Sequence, residues 1–181
     1  VYKRQVHEVL ESHAHHEDDF VDEPLQAVAP TLVERINADH QTLEARFTAV
    51  AGLASEVVAS GASDRRRLLH LLYLQLSGFT SAYLRHQLVE ERLVMPALAA
   101  ALTFDEVLAI HNGIVTSIPP DEMARSLSFM LPAMNADDRA ELLLGMRKGA
   151  PPEVFEGVIG LARSVLEPRE YAASLGRLGL R

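Results

Sequence analysis

Four histidines of this chain fall inside apolar helical stripes, and three of them have a glutamate four residues further on. His13 is followed by Glu17, His40 by Glu44 and His86 by Glu90; the fourth is His111. Residues four apart on a helix project side by side, so a His-x3-Glu unit can hold one metal ion between its two side chains or join two ions. A single buried histidine is ordinarily a hydrogen-bonded core residue. A set of imidazoles and carboxylates converging in one dry seam is different, because each group loses several kcal/mol of hydration unless something compensates. A bound cation compensates all of them at once, so metal binding is the predicted chemistry. The chain has no Cys, which removes thiolate sites, and a mixed imidazole and carboxylate set suits Fe or Mn, less exclusively Zn. Four His with two or three Glu exceed what one tetrahedral Zn takes but fit a carboxylate-bridged pair of metals. Glu17 and Glu90 are the expected bridges, with His13, His40, His86 and His111 as terminal ligands. Glu44 is expected as a further ligand or as a group orienting an imidazole, and Glu91, one residue out of phase, stands in reserve for Glu90.

Helices must position these groups. The His86 helix carries the stripe Leu69, Leu72, Leu76, Phe79, Tyr83, His86, Glu90, Leu93 and Ala97, with Ser63 or Asp64 as its cap and Pro96 bending or ending it. The first helix is predicted over about residues 2–21, with Val6, Leu10, His13, Glu17 and Phe20 inward and an end before Pro24. A second helix begins after Pro30 and runs to about Ala59, its stripe Val33, Ile36, His40, Leu43, Phe47, Val50, Ala54 and Val57. Thr103 to Glu106 is a capping box for a helix whose stripe is Phe104, Val107, His111, Ile114 and Ile118. Four shorter amphipathic helices follow, over about residues 120–134, 136–148 behind an Asn135 cap, 152–166 and 168–178. They contain no histidine and read as packing helices. The predicted organisation is a metal-binding bundle over residues 6–118 and a helical extension over 119–181 that packs on it. A further pair, His7 with Glu11, falls off the stripe and predicts a surface contact.

Composition narrows the setting. Hydrophobic residues make up 48%, aromatic ones only 6%, and Trp is absent, as in an Ala- and Leu-rich all-α protein. The lack of Cys suits a reducing cytoplasm. A net charge of -8 argues against nucleic acid or an anionic membrane as partner, and Arg65 to Arg67 read as a solvated helix start. No apolar run reaches the roughly 18 residues of a membrane span, and no signal peptide is visible. Val1 to Gln5 read as one translation frame of a transposon end, so natural residues are expected from near Val6, with an earlier segment lost. Nothing in the sequence indicates an oligomeric state.

His13-Ala-His-His-Glu17, His40 on the next helix and His86-x3-Glu90-Glu91-x4-Pro96 together resemble the hemerythrin family of HHE cation-binding bundles, over about residues 6–118. The resemblance implies a hemerythrin-like antiparallel bundle. It further implies two Fe ions, oxo- or hydroxo-bridged and carboxylate-bridged, that bind O2 or a related species such as peroxide. His13, Glu17, His40, His86 and Glu90 carry over as ligands. Alternatives at the same site are a di-iron enzyme acting on peroxide or O2 in the manner of a catalase, and an iron or oxygen sensor. The chain departs from the pattern in three places. The usual leading helix with another ligand His is absent, Glu44 stands where respiratory members have a second His, and His111 lies beyond the last ligand helix. Tyr83, one turn before His86, is placed either to donate a hydrogen bond to bound oxygen or to pack.

Overall fold

Proline placement explains many of the helix boundaries. Pro30, Pro120, Pro152 and Pro168 each open a helix, where a missing N–H leaves no bond unmade and the fixed φ suits the first turn. The computed structural model describes residues 2–180, apart from the side chains at 2–5, 7 and 8, so the expected His7/Glu11 pair lies outside the described residues. Within these limits the chain is all-α, with no strand among the described residues. In order it forms α1 (Tyr2–Phe20), α2 (Asp22–Val28), α3 (Pro30–Ala59), α4 (Ala62–Val89), a π-turn (Glu90–Val94) and α5 (Met95–Ala101). Next come α6 (Phe104–Ser117), α7 (Pro120–Ala133), α8 (Ala136–Gly149), α9 (Pro152–Val165) and α10 (Pro168–Leu178). None of these helices is long and apolar enough to cross a membrane.

Two compact units divide between Thr116 and Ser117. In the first, α1, α3 and α4 enclose the interior. Val33, Ile36, Leu43, Phe47 and Val50 of α3 are buried, with His40 filling the gap in their three-four rhythm. Leu43, Phe47, Val50 and Phe79 form one apolar layer, and Leu25, Val33, Ile36, Val89, Val94 and Leu98 form another. His40 and His86 occupy the level between these layers. The second unit has its own core, including Leu127, Leu131, Leu143, Val158 and Ala162. Beside it the buried Arg139 donates from Nε to the Leu131 carbonyl at 2.7 Å and from a terminal nitrogen to that of Met134 at 2.8 Å, satisfying the exposed end of α7.

Several boundaries differ from expectation for identifiable reasons. Pro24 does end α1, but it then sits in the first turn of α2, a short helix that the sequence reading had not placed. α4 starts from Gly61 without a side-chain cap, not from Ser63 or Asp64. The largest difference is the π-turn just before Pro96. A π-turn takes one extra residue, so the inward register slips by one. Val94 and Leu98 are buried at 4% exposure each, whereas Leu93, expected inside, is 43% exposed. Along α6 the half-buried residues are Val107, Ile110, Gly113, Ile114 and Ile118, with Phe104 exposed. Gly113 faces Phe20 so closely that a Cβ there would lie 2.9 Å from its ring, which fixes the inward side of α6. The capping box is as expected: the Thr103 backbone N–H donates to the Glu106 carboxylate at 2.8 Å and its hydroxyl does so at 2.7 Å.

Candidate metal centre

Three helices contribute the donors: Glu17 from α1, His40 from α3, and His86 at the end of α4 with Glu90 at the start of the π-turn. One ligand atom from each of these four residues lies within 4.8 Å of the others. His86 Nε2 is 2.5 Å from Glu90 Oε1. Glu17 reaches two imidazoles with its two oxygens, Oε1 at 3.4 Å from His13 Nε2 and Oε2 at 3.3 Å from His40 Nε2. The His40 and His86 rings meet edge to face with centroids 4.7 Å apart.

Those separations are in ion-pair range, yet the groups do not satisfy one another. His13 Nε2, Glu17 Oε2, His40 Nε2, His86 Nδ1 and Glu90 Oε1 are buried atoms without an aligned hydrogen bond. Buried polar atoms in folded proteins are nearly always paired, so the four of these that face the cluster, all but His86 Nδ1, mark a place built for something else. A cation meets the requirement, and the donor set of imidazole and carboxylate without sulfur fits it. This cluster can hold a metal ion.

The surroundings hold these ligands in position. His40 Nδ1 is hydrogen-bonded to Asp18 Oδ1 at 3.0 Å, which leaves Nε2 as the nitrogen facing the cluster. His86 Nδ1 faces Asp39 Oδ2 at 3.8 Å, an ion-pair distance. Each imidazole thus has an aspartate from the preceding ligand helix behind it, Asp18 of α1 for His40 and Asp39 of α3 for His86. Neither aspartate was singled out from the sequence. The available signal was position: an acid directly beside a ligand points about 100° around the helix, toward the next ligand's back.

Charges follow this packing. Burial alone would lower the His40 imidazole, but its contacts with Glu17 and Asp18 outweigh that and raise it above the ordinary 6.5. Burial alone would raise Glu90, but the adjacent His86, aided by His13 and His40, brings its carboxyl below the ordinary 4.5. Tyr83 is raised above 10.0, first by burial and then by the Glu90 and Glu17 carboxylates, so its hydroxyl keeps its proton at neutral pH.

Of the seven expected donors, Glu17, His40, His86 and Glu90 form the cluster and His13 borders it through Glu17. Glu44 and His111 stay outside. Glu44 is exposed because Leu43, its neighbour, takes the inward position of α3; it lines a separate small cavity. His111 is exposed because Ile110, its neighbour, joins Val107 and Ile114 on the inward side in its place. Glu91, the reserve for Glu90, is exposed as well. No family model, no curated protein and no solved structure matches this chain.

Proposed function

We propose that the chain is a hemerythrin-like di-iron protein of the cytoplasm that binds O2 or peroxide between α1, α3 and α4. One observation carries this reading: four buried ligand atoms, from α1, α3 and the π-turn, surround one space without hydrogen-bond partners of their own. The contacts of Glu17 favour a pair of ions. Glu17 shows separations of 3.4 and 3.3 Å to His13 and His40 through different oxygens, as a bridging carboxylate would. Glu90 is the second bridge in this reading.

Iron held by such ligands supplies electrons and Lewis acidity to a small oxygen species. The chain's own residues do the rest. Asp18 fixes the His40 tautomer, the two apolar layers bury His40 and His86, and Tyr83 presents a protonated hydroxyl one turn from His86. Metal analysis of protein purified after expression in iron-replete medium tests the reading, with two Fe per chain expected. Zinc as the tightly held metal, with no iron, would overturn it. A single-ion reading is favoured by the convergence of four donors within 4.8 Å, and one Fe per chain would select it. Reversible colouring by O2 would mark a carrier, and oxygen evolution from peroxide that is lost in His86→Ala would mark an enzyme.

A further inference from the structure

One helical turn away from the cluster lies a cavity of about 90 Å³ whose chemistry differs from that of the centre. Its floor is apolar, made by Leu10, Leu43, Phe47 and Phe79. Its mouth is anionic, with Glu11 and Glu44 exposed to solvent beside His15. Tyr83 forms the wall toward the metal centre. The Tyr83 oxygen already accepts from Gln87 Nε2 at 3.4 Å, which leaves its own O–H free to donate.

We infer that this cavity is a binding site for a short-chain alkylammonium ion, with the hydrocarbon tail on the floor and the ammonium at the mouth against Glu44. Size sets the tail. A cavity of about 90 Å³ takes a short tail of a few carbons. Sign sets the head. Glu44 stands exposed at the entrance, so a carboxylate faces whatever group lies there and an anion is disfavoured. A neutral alcohol of equal length gains the floor but not the carboxylate. A divalent cation gains the carboxylate and leaves the apolar floor unused. The site depends on the cavity alone and stands whether or not iron occupies the neighbouring cluster.

Titration of the full chain with n-butylammonium, n-butanol, butyrate and Mg²⁺ tests this, read by methyl and aromatic NMR shifts of Leu10, Leu43 and Phe47. Saturable shifts are expected with n-butylammonium in both metal-free and metal-loaded protein, weakened about threefold to tenfold in Glu44→Gln. Glu44 is exposed, so that variant leaves the core intact. Leu10→Phe, which fills the floor, should abolish the shifts while leaving metal content unchanged. Equal binding of n-butanol or butyrate would overturn the proposal. So would saturation by Mg²⁺ in place of the amine, an undiminished response in Glu44→Gln, or no saturable shift at all.

Discussion

At the scale of single residues, the placement of Asp18 leads to a measurable consequence. Its hydrogen bond to His40 Nδ1 at 3.0 Å holds the imidazole with Nε2 toward the cluster, and losing such a partner typically weakens metal binding about 10–100-fold. Asp18→Asn should show that loss in a chelator competition. At pH 8, where His40 carries little charge, the variant's helix content and melting temperature without metal should stay near wild type, because the Asp18 side chain is 41% exposed. Protons and metal also oppose each other here. His40 is raised above 6.5, so its contribution to the stability of the metal-free protein is complete below that value and disappears as pH climbs through the raised one. Glu90 is depressed below 4.5, so its contribution is complete above that value and is lost as pH falls through the lowered one. This pair therefore favours the metal-free fold most between about pH 4.5 and 6.5. Metal needs the neutral imidazole, so the melting-temperature gain on adding metal should grow from pH 6 to 8 while the metal-free value declines. A gain that shrinks over that range would mean His40 is not a ligand. His13, Glu17, His40, His86 and Glu90 were legible in the sequence because apolar neighbours at regular steps frame them. Asp18 and Asp39 were not, because an acid beside a ligand is a weak signal until the packing of the next helix brings an imidazole to it.

At the scale of elements, the π-turn decides which leucines matter. Sequence periodicity extends the α4 stripe through Leu93 and Ala97, a projection that assumes 3.6 residues per turn throughout. The turn at Glu90–Val94 breaks that assumption, and the register passes to Val94 and Leu98. Two chemically identical substitutions separate the alternatives. Leu98→Ala should destabilise the protein by about 2–5 kcal/mol in urea unfolding, the range for a buried leucine. Leu93→Ala, at an exposed position, should lie within about 0.5 kcal/mol of wild type. The reverse order would restore the regular helix. Other elements were readable where the signal is local chemistry: the Thr103/Glu106 box, the Asn135 cap and the prolines at helix starts. Glu106 is held below the ordinary carboxyl value by the Thr103 backbone and hydroxyl donors, which is the electrostatic signature of that box. α6 keeps Val107 and Ile114 inward as expected but turns Phe104 and His111 outward. Its pattern offers two adjacent apolar faces, and only the close approach of Gly113 to Phe20, distant in sequence, chooses between them.

At the scale of the whole molecule, the expected ligands are confined to one of two compact units. The first unit, up to Thr116, contains the cluster and the two apolar layers around it. The second, from Ser117, buries Leu131 and Leu143 completely in a core of its own and has no histidine to offer. A metal that binds the folded first unit and not its unfolded form raises that unit's stability by about 4.1 kcal/mol at a free concentration a thousand times its dissociation constant. The second unit has no direct share in that linkage. Scanning calorimetry of the full chain should therefore resolve two transitions, of which metal moves one upward and leaves the other in place. His86→Ala should cancel the movement without touching the stationary transition, because Glu17, His40, His86 and Glu90 all belong to the first unit. A single transition that shifts as a whole would mean that the two units unfold together and that metal at α1, α3 and α4 stabilises the entire chain.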